Sequence, residues 1–217
     1  MPNYCTNKLT VNKSAKNLII NEHREIDFNI LLPMPETLNI TEGSVMEEAI
    51  AVYEYKANKN YKPLYELMSE RGYSDSPESY VSQLEFDYVK RKALDTINGG
   101  TTYEKKYCFN LYTLGRTYVE NKQKYGYYTW YDWCRKTWGT KWNAWETVIE
   151  EDGDNLVITF TTAWCPPENW LLELATKVDY FNLDWDEEGG YYGNIYADHG
   201  EVSSVSDLHT YDEEQED

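Results

Sequence analysis

The sequence predicts an α+β fold: a mainly antiparallel sheet with helices on one face and an inserted helical lobe. Three observations carry this prediction. Segments near both ends alternate apolar and polar residues with the period of a half-buried strand, and the middle carries charged patterns of period 3.6. Late Asp-Gly and Gly-Gly turns then join alternating runs as hairpins. A chain of 217 residues, 41% of them hydrophobic, can form one domain with an appendage around a real core.

Asn7 to Val11 alternates as a first strand, and Ser14 is placed to cap a helix running to about Asn21. Ile26, Phe28, Ile30 and Leu32 alternate with polar neighbours, so Ile26 to Leu32 reads as a second strand. It stops at Pro33-Met34-Pro35, because proline has no donor for a ladder. From Ser44 the period changes. Ser44 and Glu47 have capping-box spacing ahead of Ala49, Ile50, Val52 and Tyr53, and Pro63 suits a first turn leading to Leu64, Leu67 and Met68 before Gly72. Ser76-Pro77 opens a longer helix that gathers Tyr80, Val81, Leu84, Tyr88 and Val89 on one face and ends at Asn98-Gly99-Gly100. A further helical segment, about Tyr103 to Lys124, shows few clear caps.

The stretch Tyr125 to Trp145 holds five of the eight Trp and four of the 21 Tyr. Thr129 and Asp132 mark a helix start, and Trp130, Trp133, Cys134 and Trp138 then fall at i, i+3, i+4 and i+8, ahead of a stop at Gly139. This phase makes the run a packing element that stitches the lobe to the sheet, since buried aromatic rings more often build cores than cofactor sites. Lys141 to Glu150 and Leu156 to Trp164 form a hairpin around Asp152-Gly153. Pro166-Pro167 then opens a helix with Trp170, Leu171, Leu174 and Val178 on its buried stripe. Tyr180 to Asp186 and Tyr191 to Ala197 form a second hairpin, and the chain from about Val202 lacks periodicity and is strongly acidic. The expected divisions are 1–40 as the first part of the sheet domain, 41–124 as the helical lobe, 125–202 as the aromatic helix and remaining sheet, and 203–217 as a loose acidic tail.

Catalytic and metal motifs are missing. The histidines His23, His199 and His209 have no paired spacing, and the four cysteines form no C-x-x-C pair, so neither zinc nor a disulfide framework is expected. Gly189-Gly190-Tyr191-Tyr192-Gly193 fails the dinucleotide pattern and sits in a hairpin. No enzyme activity, cofactor or metal is therefore predicted. The start MPNYCTNKLTV lacks the layout of a signal peptide and no run of eighteen apolar residues occurs, so a soluble chain of the bacterial cytoplasm is expected.

The net charge of −18 is unevenly placed: residues 146–217 hold 20 acids against one base, Lys177. Such a field repels nucleic acid and favours a basic partner. The acidic loops Glu150-Glu151-Asp152 and Asp186-Glu187-Glu188, together with Asp184, Tyr192 and Tyr196, make the candidate surface, because carboxylates oppose Arg and Lys while tyrosines supply rigid contact area. The last basic cluster before the acidic third, Arg135, Lys136 and Lys141, with Arg116, is the alternative ligand-binding set.

Several blocks, MPNYCTNKLTV, DFNILLPMPE, WYDWCRKTWGTKWNAW, FTTAWCPPENW and EEGGYYG, together resemble the YubB-like proteins of bacteriophages and plasmids. The resemblance implies a ferredoxin-like domain in an accessory protein of mobile elements, with no activity to carry over. The helical stretch and the acidic tail lie outside it. Joined to the charge map, it leads to the expectation of an inhibitor of a host defence system, of anti-CRISPR or anti-restriction type. Such an inhibitor would bind a basic nucleic-acid-binding protein or complex of the host and act as a nucleic-acid mimic. The alternative is a binder, or sponge, of a signalling nucleotide.

Overall fold

The structure, a computed structural model, describes residues 3–95 and 102–208. The expected helix end at Asn98-Gly99-Gly100, His209 and the last part of the acidic tail lie outside the described residues. In chain order the elements are β1 (Tyr4–Asn12), α1 (Lys16–Ile19), α2 (Phe28–Leu31), α3 (Ser44–Tyr53), α4 (Lys62–Glu70), α5 (Pro77–Asp95), α6 (Thr102–Tyr107), α7 (Leu111–Tyr125) and α8 (Trp130–Thr137). These lead into β2 (Trp145–Asp152), β3 (Asn155–Ala163), α9 (Glu168–Ala175), β4 (Tyr180–Glu187), β5 (Tyr191–Asp198) and β6 (Glu201–Leu208). The chain divides into two compact units: Met1–Pro33 with Cys134–Asp217, and Met34–Trp133.

The first unit is built on a six-stranded sheet of order β2-β3-β1-β4-β5-β6, antiparallel throughout. Its first four strands have the split β-α-β order of a ferredoxin-like domain, in which β1 lies between β3 and β4 and each crossover carries helix. The second unit lies within the first crossover, between α2 and β2. Alternation decides the faces of the sheet. Leu9 sits opposite Ile158 and Leu183, and Val11 opposite Leu156 and Phe181, so these side chains share one buried face. Phe28 of α2 and Trp170 of α9 cover that face, their rings 4.9 Å apart, with Phe160 6.1 Å and Trp138 5.8 Å from Phe28. The Trp138 indole N–H donates to Leu32 O at 2.9 Å, so the ring is held at its polar end as well.

The second unit is helical. Its core gathers Ala49 and Val52 of α3, Leu64 and Leu67 of α4, Tyr80, Leu84 and Tyr88 of α5, and Leu111, Leu114 and Tyr118 of α7. Two buried phenols find carbonyl acceptors, Tyr118 on Thr41 O at 2.6 Å and Tyr88 on Cys108 O at 3.0 Å. Asn110 and Thr113 form the capping box that starts α7, and Gly126, at φ 82°, ends it in the left-handed conformation.

Several sequence expectations are corrected. The strand expected over Ile26–Leu32 is a short helix: Asp27 caps it by accepting from Asn29 N at 2.9 Å, while Ile26 makes only an isolated bridge to Ile20. Asn12, not Ser14, supplies the first cap, accepting from Ser14 N. Gly43, at φ 121°, takes the cap position of α3, a conformation open to glycine, so Ser44 begins the helix and makes no capping bond. The helix expected over Tyr103–Lys124 is two helices, α6 and α7, parted by the Asn110 cap. Lys141 to Ala144 precede β2, whose register shifts between Trp145 and Val148, where Glu146 sits at φ 54°. Part of the supposed loose tail is strand: β6 pairs with β5 from Glu201 to Leu208.

Candidate interaction surface on the open sheet face

The face of the sheet opposite Phe28 and Trp170 is set by the other phase of the same strands. Asp184 of β4 lies opposite Lys8 of β1 and Asn194 of β5, and Asp186 lies opposite Thr6 and Tyr192. Tyr196 faces Asn182, and β6 adds Val205 opposite Asn194 and Asp207 opposite Tyr192. Tyr192 and Tyr196 are 37% and 40% exposed and Val205 is 67% exposed, so contact area stands open between the carboxylates. Among the described residues Lys8 is the one basic residue in any strand, whereas this face carries acids on β2, β4, β5 and β6.

Hydrogen bonds hold part of this face in place. Asn194 Nδ2 donates to Asn182 Oδ1 and to Asp184 Oδ1, both at 2.8 Å, and Asn182 Nδ2 donates to Asp184 Oδ2 at 3.2 Å. Two shallow depressions meet at Asp184 and Tyr192. One, of 390 Å³, is bordered also by Asn194, Val205 and Asp207, and the other, of 330 Å³, by Thr6, Lys8 and Asp186. Gly193 is required here, because a Cβ would meet Val205 O at 2.3 Å and the Trp185 ring at 2.8 Å. The surface is therefore a fixed acidic lattice with tyrosine platforms, suited to guanidinium and ammonium groups.

The structure brings Asp184, Asp186, Tyr192 and Tyr196 together on neighbouring strands. Glu150 and Asp152 share the face but stand on β2, at the far edge of the sheet. Glu151 points the other way and pairs with Lys13 at 2.7 Å, which holds its carboxyl below the ordinary range. Glu187 is only 6% exposed and accepts from Gly189 N at 2.8 Å, shaping the turn; alternation carries it to the buried face, away from Asp186. Glu188 accepts from Tyr4 N at 2.8 Å. Val205 and Asp207 were hidden from sequence reading because β6 carries no hydrophobic alternation.

The basic residues divide. Arg116 lies on α7 of the helical unit, 3.7 Å from Glu120. In the sheet unit, the Arg135 guanidinium lies 5.9 Å from the Trp164 ring centroid, and Lys141 Nζ lies 4.9 Å from Trp164 and 4.5 Å from Trp142. Asn169 Nδ2 caps Lys136 O at 3.0 Å. Trp164, at φ 72°, and Trp142 are the residues of this cluster that sequence reading did not single out.

Among the described residues no group of His, Cys, Asp or Glu is arranged to hold a metal ion, and no helix is long and apolar enough to cross a membrane. The four cysteines are free thiols. Burial pushes Cys5 and Cys134 up to about 12, and raises Cys108 and Cys165 as well, the reverse of what a nucleophile needs.

Residues 137–217 match the family model described as the ferredoxin-like domain in Api92-like protein. Among solved structures, the crystal structure of a protein api92 from Yersinia pseudotuberculosis is similar over 97% of this chain and 99% of that chain, at 12% identity and a TM-score of 0.43. No curated protein matches. The C-terminal part of the chain, residues 137–217, is thus similar to the ferredoxin-like domain of Api92-like proteins, in agreement with the strands β2 to β6 that it contains.

Proposed function

We propose that this chain is a binding protein without catalytic activity whose open sheet face docks on a basic, nucleic-acid-binding surface of a bacterial host protein. In this reading it is a phage- or plasmid-encoded inhibitor of a host defence system, of anti-CRISPR or anti-restriction type. The observation that carries the proposal is the composition of the face: Asp184, Asp186 and Asp207 around Tyr192 and Tyr196, with Lys8 as its one strand-borne base among the described residues. A basic groove evolved for phosphates would meet fixed carboxylates in place of a nucleic-acid backbone, and the tyrosines would add contact area at low entropic cost. The resemblance to YubB-like proteins supports the setting among accessory proteins of mobile elements.

The test is a phage-plating assay on a host with an active nucleic-acid-cleaving defence, together with binding of the chain to that defence complex at low and high salt. Protection is expected to be lost in Asp184→Lys/Asp186→Lys and kept in the control Glu66→Lys, at an exposed side chain of α4. Binding is expected to weaken steeply with salt and to compete with nucleic acid. Full protection by the doubly reversed chain would sink the idea.

A further inference from the structure

We propose that the outer edge of β6 takes up an extended segment of the basic partner as a further strand of the six-stranded sheet. The inference rests on the reading that the partner is basic, and adds which kind of segment binds and how it is held.

Backbone direction comes first. His199 and Gly200, at φ 46° and 85°, form a two-residue turn that makes Asp198 and Glu201 the first hydrogen-bonded pair of the β5-β6 ladder. Alternation then turns the N–H and C=O of Glu201, Ser203, Val205 and Asp207 toward β5, and those of Val202, Ser204 and Ser206 away from it. Two contacts agree with this phase. A Cβ on Gly193 would meet Val205 O at 2.3 Å, so that carbonyl points at β5, and the outward Leu208 N donates to Asp207 Oδ1 at 2.8 Å. Asp207 thus closes the end of the edge, beyond an outward row at Val202, Ser204 and Ser206.

The edge lacks the usual protection. Glu201–Leu208 holds no Pro, Lys or Arg, and its pairing with β5 runs from end to end without a shift of register. The opposite edge differs, since β2 shifts register between Trp145 and Val148, where Glu146 sits at φ 54°. Every residue of β6 is exposed, so the strand adds little to the core; among the described residues it ends the sheet and offers its backbone for strand addition.

Charge names the occupant. On the face that holds Asp184 and Tyr192, an added strand lies beside Glu201, Ser203, Val205 and Asp207. Lys or Arg suits the positions opposite Glu201 and Asp207, and an apolar side chain the position opposite Val205. A second copy is disfavoured, because pairing β6 with itself joins two chains of net charge −18 through acidic strands.

The test titrates the intact chain with the capped peptide Lys-Thr-Ile-Thr-Thr-Val-Lys, following backbone amide shifts by NMR at low salt. Run antiparallel, it sets its lysines opposite Asp207 and Glu201 and its isoleucine opposite Val205. The comparison peptide has Glu at both ends. Saturable binding of the lysine peptide is expected, with the largest shifts at Val202, Ser204 and Ser206. It should be weaker by about tenfold or more in Ser204→Pro, the size of one or two lost ladder bonds. Proline is tolerated on an edge strand where its missing N–H faces solvent, and circular dichroism checks the fold. Glu201→Lys/Asp207→Lys keeps the edge, tests the charge without a proline, and is expected to prefer the Glu-ended peptide. Four results overturn the proposal: no binding of the lysine peptide up to millimolar concentration, equal affinity in folded Ser204→Pro, an unchanged preference between the peptides in the charge-reversed chain, or self-association that Ser204→Pro abolishes. None of them alters the plating result for Asp184→Lys/Asp186→Lys, so this inference and the reading beneath it fail separately.

Discussion

At the scale of single residues, Glu48 on α3 is a buried charge held from two sides. Its carboxylate, 7% exposed, receives Arg71 at 2.8 Å on one oxygen and Arg91 on the other, so one acid joins α3 to the end of α4 and to α5. Both arginines are about two-fifths exposed, and solvent screening therefore reduces what the pair of bonds contributes. Replacing Glu48 by Gln removes the charge while keeping the shape, and leaves two guanidiniums facing each other over a neutral amide. A loss of about 2–3 kcal/mol is expected, below the range for fully buried pairs, and read as a lower urea midpoint with unchanged slope. An unaltered midpoint would mean that the arginines find solvent equally well. Nothing in the sequence marked Glu48. Its partners lie 23 and 43 positions away, whereas its neighbour Glu47 stands at a familiar spacing from Ser44 that the fold does not use.

At the scale of elements, α3 and α7 cross at Gly115. A Cβ at that position would meet Ala49 O at 2.0 Å and the Tyr53 Cβ at 2.8 Å, both parts of α3 that cannot swing aside. Gly115→Ala therefore forces the helices apart, against the usual gain of alanine over glycine within a helix. The expected cost is about 1–3 kcal/mol in urea unfolding, and an equal or raised midpoint would show that the crossing is looser than described. Helices of this kind were legible because long amphipathic periods survive local noise: the Leu64, Leu67, Met68 stripe of α4 and the Tyr80, Val81, Leu84, Tyr88 stripe of α5 are buried as their spacing requires, although Val89, expected on the same face, is 57% exposed. Short elements were not. Ile26, Phe28, Ile30 and Leu32 alternate as a strand does, yet Asp27 caps a single turn that buries Phe28 and leaves Ile30 40% exposed. At β6 every residue is exposed, so its pairing rests on the β5 backbone and no apolar pattern announces it. The same limit hid half of the candidate surface: β4 and β5 alternate clearly enough to place Asp184, Asp186, Tyr192 and Tyr196 on one face, while Val205 and Asp207 became visible only with the strand that bears them.

At the scale of the whole molecule, the charge asymmetry links surface to stability. The acidic third that suits a basic partner also leaves the chain at −18, so any further negative charge is added against its own field. Several groups that would add it are buried: Cys5 and Cys134 are pushed up to about 12 by desolvation, and Tyr88 and Tyr118 are raised for the same reason, with Glu104 adding repulsion to the two phenols. The sign follows from proton counting. Above the thiol range of an unfolded chain, near pH 9, the unfolded state loses protons that the folded state retains, so the unfolded state is favoured as pH rises. The stabilisation from the neutral thiols is complete below that point and disappears as pH climbs through the folded values near 12. Unfolding followed by urea titration is expected to give a flat midpoint from neutral pH to about pH 8.5 and a falling one beyond it, steeper at low salt. Labelling of Cys5 and Cys134, followed by peptide mapping, should track this fall, with both thiols inert in the native protein at mild pH and reacting as the fold opens. A midpoint that held steady through pH 11, or rapid labelling of Cys5 or Cys134 in the native chain at neutral pH, would show that these thiols and phenols are not buried as the structure has them.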